Sequence, residues 1–349
     1  MALEPTSVMQ TLRQLLDVPS PTGYTGEAMA WLERELVALG VTPTYSRKGA
    51  LCWSVAGGKA APKAVLAHVD TLGAMVKEIK HNGRLRLTMV GGYDWGTVEG
   101  EYCQIHTQSG RVLSGTVVNV RQSTHVWGNA LAENKRSAET LEVRLDAVLD
   151  SRAVQSAFDV RALGVNVGDF VSWQPRTEVF ENGYIKSRFL DNKAGVAVLL
   201  EVTRVLLGTK KKPNSRIDFV ITNYEEVGHG AAGIVAPDVA EVVAVDMAAI
   251  GEGQTSSEMH CSLCVKDSSG PYDYQLGHTL RQVAAKAGID LKVDIYPYYS
   301  SDASAAWSAG LDARCALIGP GVDASHAYER THINALLDTG KLLLAYFGF

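Results

Sequence analysis

Two patterns of apolar residues alternate along most of the chain, and each predicts one kind of element. Apolar residues at helical spacing predict helices at 6–18, 26–39, 193–207, 272–287 and 333–346. Short, continuous apolar runs are typical of strands buried on both faces of a sheet, and they occur at 64–67, 217–221, 242–245 and 314–318. This alternation predicts an α/β fold in which a central mixed sheet is flanked by helices.

The stretch 73–186 differs from the rest of the chain. Apolar and polar residues alternate strictly at 84–89 and less regularly at 112–118, as on half-buried strands, and only a short helix near 150–158 is indicated. We therefore predict a small β-barrel-like domain, inserted into an α/β domain made of 1–72 and 187–349. Two domains suit a length of 349 residues, because a single core stops growing at roughly 250–300 residues.

Composition narrows the classes of partner. A net charge of -5 without a basic stripe argues against nucleic acid. Neither an apolar run of about 20 residues nor a secretory signal is found, so we expect no membrane partner. Five scattered cysteines suit a reducing compartment, and we expect a cytoplasmic protein.

Imidazole and carboxylate side chains follow the predicted strands or open the helix after them. These segments are 68–70 (HVD), 190–193 (LDNK), 224–228 (YEEVG), 245–247 (VDM) and 325–329 (SHAYE). Ligands of an open α/β sheet bind beyond the carboxyl ends of its strands, so we expect the five segments to converge.

Convergence would assemble a metal site. Its nitrogen and oxygen ligands are His68, Asp191, Glu226, Asp246 and His326, a set that suits zinc and also cobalt or manganese. Three carboxylates against two divalent ions leave one positive charge, which favours hydroxide as the remaining bridging ligand. Asp191 is the candidate carboxylate for bridging two ions.

Glu225 and Asp70 are predicted to support the chemistry. Neighbouring residues of an extended segment point to opposite sides, so a metal-bound Glu226 would leave Glu225 free to act as the general base. Asp70 could accept a hydrogen bond from the second ring nitrogen of His68. Each motif alone has an ordinary structural explanation: Asp191, for example, could simply cap the following helix.

Taken together, these motifs resemble the M42 family of metallo-aminopeptidases, which includes glutamyl aminopeptidases and TET peptidases. The resemblance rests on 20–23 (SPTG), 68–70, 190–195 (LDNKAG), 225–228 and 245–246. It implies a zinc-peptidase-like fold and two zinc or cobalt ions bridged by Asp191. His68 and Asp246 would hold one ion, Glu226 and His326 the other, with Glu225 as the base. It also implies that the inserted domain forms a dimer, and that dimers assemble further, up to dodecamers.

The last ligand departs from the family pattern, in which His-Ser-Pro is common, because this chain has His326-Ala327-Tyr328. His332 is therefore an alternative ligand. We favour His326, since Thr331 is expected to cap the final helix and His332 lies beside it.

Three functions follow from these observations. The first is an aminopeptidase that removes N-terminal residues from short peptides. The second is an amide hydrolase or deacylase acting on a blocked dipeptide. The segments 256–258 (SSE), 269–274 (SGPYDY), 299–302 (YSSD) and 321–332 resemble a subgroup associated with the osmoprotectant N-acetylglutaminylglutamine amide. The third is a non-catalytic binding protein. Such a protein would be expected to have lost the general base or a metal ligand, and this sequence retains all of these candidate residues.

Overall fold

The structure, a computed structural model, describes residues 3–349 and divides into two compact units. One unit combines the chain up to Thr71 with Arg176–Phe349, and the other is the continuous segment Leu72–Pro175. The predicted return to the larger unit at residue 187 is too late. The strand Tyr184–Ser187 pairs with Glu329–His332 of the larger unit, which places the preceding residues in that unit as well.

Most helices lie where the apolar periodicity predicts them. The α-helices are α1 (Pro5–Leu16), α2 (Gly26–Ala38), α3 (Thr124–Trp127), α4 (Ala157–Ala162), α5 (Leu190–Leu207), α6 (Tyr274–Lys286), α7 (Asp302–Ser308) and α8 (Ile333–Tyr346). Short 3-10 helices cover Trp95–Val98, Gly128–Leu131 and Glu225–Val227. Helices α1, α2, α5, α6 and α8 confirm the five predicted ones. Within residues 3–349, no helix is both long and apolar enough to cross a membrane.

The strands fall into three groups along the chain. Before the inserted unit lie β1 (Thr44–Tyr45), β2 (Leu51–Val55) and β3 (Ala60–His68). Within it lie β4 (Gly73–Ile79), β5 (Leu85–Val90), β6 (Tyr102–His106), β7 (Val112–Asn119), β8 (Leu141–Leu145), β9 (Val148–Leu149), β10 (Arg152–Ala153) and β11 (Phe170–Trp173). After it lie β12 (Glu178–Val179), β13 (Tyr184–Ser187), β14 (Ser215–Thr222), β15 (Glu241–Val245), β16 (Ala248–Ala249), β17 (Cys261–Asp267), β18 (Gly270–Pro271), β19 (Lys292–Ile295), β20 (Arg314–Val322) and β21 (Glu329–His332).

A large mixed sheet forms the centre of the larger unit. Its strands follow the order β1-β2-β14-β3-β15-β20-β17-β18, with β16 paired to β20 and β19 to β17. The four predicted apolar runs form β3, β14, β15 and β20, which are mutually parallel. Their carboxyl ends therefore lie along one edge of the sheet, where an α/β fold binds its ligands. The predicted fold class is confirmed.

Helix α5 is the central support of this sheet. It is buried on almost all sides and packs against β3 and β20 as well as against α1 and α8. A helix that is apolar all round belongs in a core. On the sheet, the alternate residues Ala64 and Leu66 of β3 pack in one cluster with Ala303 and Ala306 of α7. Helices thus flank the sheet, and the first turn of α5 is held rigidly at its edge.

The smaller unit contains a closed antiparallel barrel. Its strand order is β11-β4-β5-β8-β7-β6. Leu85 and Leu87 point into the core, as the alternation predicts. The predicted helix near 150–158 is wrong. Asp150 and Ser151 adopt positive φ angles between the paired strands β9 and β10, and α4 begins only at Ala157.

Gly319 permits a close approach between β20 and the chain after β15. A Cβ atom added there would lie 1.7 Å from the carbonyl oxygen of Asp246. We expect Gly319→Ala to lower the free energy of unfolding by at least about 2 kcal/mol, because the overlapping atoms belong to the backbone. Urea denaturation followed by circular dichroism measures the loss. Gly26→Ala is the control, since its added Cβ meets nothing within 4 Å. Equal denaturation midpoints for both variants would contradict the expected strain.

Candidate metal centre

The structure brings the predicted ligand residues together at the carboxyl edge of the sheet. His68 is the last residue of β3, and Asp246 directly follows β15. Glu226 follows β14, His326 follows β20, and Asp191 lies in the first turn of α5. The peptide bond between Asp191 and Asn192 is cis. The segments predicted to converge therefore do so.

The first group of candidate ligands consists of His68, Asp191 and Asp246, all of them buried. His68 Nε2 lies 3.1 Å from Asp191 Oδ1 and 3.7 Å from Asp246 Oδ2. These three side chains come from three different elements of the fold, and their ligand atoms lie within 4.8 Å of one another. An ion among them would therefore be held by separate parts of the core.

The second group consists of Asp191, Glu226 and His326. His326 Nε2 lies 3.3 Å from Asp191 Oδ2 and 3.5 Å from Glu226 Oε2. Asp191 belongs to both groups, and it presents Oδ1 to His68 and Oδ2 to His326. One carboxylate thus divides its two oxygens between two sets of ligands.

The donor atoms fit divalent metal ions. His68 Nε2 and Glu226 Oε1 are buried and make no hydrogen bond within the described residues, although polar atoms surround them. Two ligands at zinc-ligand bond lengths and tetrahedral angles are ~3.4 Å apart. The measured separations of 3.1 to 3.7 Å agree with that spacing. Imidazole and carboxylate donors suit zinc, cobalt and manganese alike.

Without cations, the carboxyl groups of the cluster oppose one another's ionisation. Burial raises the pKa values of the Glu225, Glu226 and Asp246 carboxyl groups above their usual range. The nearby carboxylate of Asp191 raises the pKa of Glu226 further. Burial also acts against ionisation of Asp191, but the two imidazoles beside it outweigh burial and hold its pKa below the usual range. A bound cation would favour the ionised form of every carboxylate around it.

Asp70 supports the site, but not in the way its position in the sequence predicts. The hydrogen bond to His68 Nδ1 involves the backbone carbonyl of Asp70 at 2.9 Å, whereas the carboxylate oxygen lies 3.6 Å away. The Asp70 carboxylate instead accepts hydrogen bonds from the backbone N–H groups of Glu225 and Glu226, both at 3.2 Å, and from Thr22 Oγ1. Asp70 therefore orients His68 through its main chain and the two glutamates through its side chain.

Glu329 has an equivalent role on the other side of the site, and this role was not predicted from the sequence. Its Oε2 accepts the backbone N–H of Asp191 at 3.0 Å, and its Oε1 accepts that of His326 at 3.1 Å. Burial and the Asp191 carboxylate raise the pKa of Glu329 to about 8. The only hint of this role in the sequence is an acidic residue three positions after His326. Its contact with Asp191 could not be predicted, because the two residues are 138 positions apart.

Glu225 and Glu226 lie on a 3-10 turn rather than on the predicted extended segment. The two side chains therefore do not point to opposite sides, and both line the same cavity. They still differ in position. Glu226 belongs to the second ligand group, whereas Glu225 Oε2 lies 3.8 Å from His68 Nε2 and belongs to neither group.

A buried carboxylate, Asp302, lies directly behind this turn. Its Oδ2 accepts a hydrogen bond from Thr222 Oγ1 at 2.6 Å, and burial raises its pKa to about 7. A Cβ atom added to Gly230 would lie 2.1 Å from Asp302 Oδ1 and 3.1 Å from the Cα of Glu225. The glycine lets the turn bearing Glu225 pack tightly on Asp302.

The structure bears on two alternatives that the sequence leaves open: His332 as the last ligand, and Asp191 as a simple helix cap. His332, rather than the predicted Thr331, caps α8: its Nδ1 accepts the N–H of Asn334, and its Nε2 lies 2.8 Å from the carbonyl oxygen of Asn182. His332 therefore has both ring nitrogens occupied, and His326 is the imidazole beside Asp191. Asp191 does not cap α5, whose N-cap position is Phe189.

A cluster of imidazole and carboxylate side chains at the carboxyl ends of parallel strands is the kind of site that a metal-dependent enzyme uses. Residues 49–342 match the M42 glutamyl aminopeptidase family. The putative aminopeptidase YhfE of Bacillus subtilis is 46% identical over 339 residues, which cover 97% of this chain and 96% of that protein.

Solved structures share the fold. The TET1 peptidase of Pyrococcus horikoshii, which can assemble into a tetrahedron or a large octahedral shell, has a TM-score of 0.83 at 22% identity, over 97% of this chain and 99% of that chain. The TET aminopeptidase of a marine sediment Thaumarchaeota archaeon has a TM-score of 0.87 at 18% identity, over 97% and 96% of the two chains.

The chain belongs to the M42 glutamyl aminopeptidase family. It is accordingly a metal-dependent aminopeptidase.

Proposed function

We propose that the enzyme removes N-terminal residues from short peptides with two divalent metal ions, zinc in the first instance. The observation that carries the proposal is the division of the Asp191 oxygens between two ligand groups. His68 and Asp246 would complete the set for one ion, and Glu226 and His326 the set for the other. When bound, such ions polarise the scissile carbonyl group and lower the pKa of a bound water.

Glu225 is the proposed general base. Its carboxylate lines the cavity next to both ligand groups without belonging to either. From there it can accept the proton of the attacking water and transfer it to the leaving amine, a role worth roughly 10²–10⁴-fold in rate. Asp70 keeps the backbone of Glu225 in place through a hydrogen bond of 3.2 Å.

We further propose a homo-oligomer formed through the inserted unit, in the cytoplasm. Val126, Trp127 and Phe158 of this unit leave 72%, 45% and 76% of their surface exposed, and exposed apolar groups of this kind often mark interfaces. A TET1 peptidase of the same fold is described as a dodecamer. The five cysteines are unpaired, which supports a reducing compartment.

The direct test is hydrolysis of matched peptides that differ only at the N-terminus, by protein stripped of metal and reloaded with zinc, cobalt or manganese. We expect metal-dependent release of the first residue from peptides with a free amine, and little from their acetylated counterparts. Activity on the acetylated peptides alone would contradict an aminopeptidase. That result would favour the amide hydrolase of a blocked dipeptide, which the resemblance to the N-acetylglutaminylglutamine amide subgroup implies.

The role of Glu225 is tested by Glu225→Gln. We expect normal metal content and a kcat lower by about 10²–10⁴-fold, because the amide keeps the shape of the side chain but cannot accept the proton. Elemental analysis and kcat are measured on the same preparation. Glu252→Gln, at an exposed glutamate outside the cavity, is the matched control. If Glu225→Gln keeps most of its kcat, Glu225 is not the base.

A further inference from the structure

The cavity beside the ligand groups has a volume of about 480 Å³ and two chemically different ends. One end carries the proposed ligands together with Glu225. The rest of the wall is largely apolar or aromatic and includes Met247, Ala249, Tyr296, Pro297, Tyr298 and Tyr299. Within the described chain, the residues lining this cavity include no lysine and no arginine.

Several polar groups of this wall already have partners within the protein. The Tyr299 hydroxyl donates to the carbonyl oxygen of Met247 at 3.0 Å. The Tyr296 hydroxyl lies 2.9 Å from Ser256 Oγ. The side-chain amide of Gln254, which also lines the cavity, donates to the carbonyl oxygen of Ile295 at 3.2 Å. The wall therefore offers only uncharged groups to a ligand: ring faces, aliphatic groups, and the hydroxyls of Tyr298, Ser300 and Ser325.

Tyr298 adds an exposed aromatic group to this wall. Its side chain is 99% exposed although the residue lines the cavity, so nothing in the described chain covers its ring. An uncovered aromatic ring beside an apolar wall can pack against a bound side chain at little conformational cost.

We infer that this cavity selects an uncharged, bulky N-terminal residue, aliphatic or aromatic, and rejects an acidic one. The inference rests on the proposed function and specifies its substrate class. Because the scissile carbonyl must lie at the metal end, the side chain of the N-terminal residue extends toward the wall of Met247, Tyr296 and Tyr299. The carboxylate side chain of an N-terminal glutamate would meet no lysine or arginine in this wall.

An acidic side chain would lose part of the solvation of its charge without gaining a cationic partner in the wall. A buried charged group left unpaired costs about 2 kcal/mol or more, which corresponds to a discrimination of at least about 30-fold. A lysyl side chain gains little either, because the carboxylates in the lining are committed to the metal ions or to proton transfer. Only an uncharged side chain matches the remaining wall.

The first test is kcat/KM for aminoacyl p-nitroanilides of Leu, Phe, Glu and Lys with the zinc-loaded enzyme. We expect Leu or Phe to exceed Glu by at least about 30-fold, and to exceed Lys. A preference for Glu or for Lys would overturn the inference while leaving the aminopeptidase intact.

The second test does not depend on turnover. Calorimetry on the zinc-loaded protein measures the binding of free L-leucine, L-phenylalanine and L-glutamate, which present the same side chains to the same wall. Tighter binding of L-leucine or L-phenylalanine supports the inference, and equal or tighter binding of L-glutamate overturns it. If no p-nitroanilide or free peptide is hydrolysed, the proposed function fails, and calorimetry still decides the selectivity of the cavity.

A variant pair tests the cause of the selectivity. Gln254→Lys places a cation in the wall and should raise the Glu-to-Leu ratio of kcat/KM by about tenfold or more. Gln254→Met, of similar length and without charge, should not raise that ratio. Circular dichroism and zinc content establish that both variants are folded and loaded. A folded, loaded Gln254→Lys variant with the wild-type ratio, in kcat/KM and in amino-acid binding, would show that the missing cation is not the cause.

Discussion

The largely buried carboxylates of Asp191, Glu225, Glu226 and Asp246 line one cavity, and their mutual repulsion is the constraint on which the site depends. Burial of unpaired like charges is costly, so such an arrangement persists only if cations or protons neutralise it. The imidazoles on either side of Asp191 hold its pKa below the usual range, but for Glu225, Glu226 and Asp246 the effect of burial outweighs that of the imidazoles. Divalent ions would neutralise the remainder, and they would turn a source of instability into a cross-link between β3, α5 and the loops after β14, β15 and β20.

Two further carboxylates hold the backbone segments of the site in place by hydrogen bonds. Asp70 holds the backbone of Glu225 and Glu226, while Glu329 holds the backbone of Asp191 and His326. Each accepts hydrogen bonds with both oxygens from N–H groups of segments that carry proposed ligands, so these segments are positioned by hydrogen bonds within the protein itself. Helix α5 supplies the rigid support behind Asp191, because it is packed on almost all sides. A preorganised site of this kind allows Glu225 to be placed beside the ligands rather than among them.

Much of the fold and the candidate ligands could be predicted from the sequence, because both depend on local patterns. Apolar runs located the parallel strands; His68 and Asp246 directly follow two of these runs, and Glu226 lies shortly after a third. Features that depend on distant contacts could not be predicted. Glu329 lies 138 positions after Asp191, whose N–H it accepts, and one ring nitrogen of His332 lies beside the carbonyl oxygen of Asn182, in the loop before β13. Lys193 looks like an exposed helix residue, yet it is fully buried and donates to the carbonyl oxygen of Val18.

Anomalous diffraction from crystals of the zinc-reconstituted enzyme tests the central claim most directly. The account predicts two zinc peaks roughly 3.5–4 Å apart, with one oxygen of Asp191 bound to each. His68 and Asp246 should bind one ion, Glu226 and His326 the other, and Glu225 neither. A single peak in fully loaded crystals, or two peaks of which one does not contact Asp191, would contradict it.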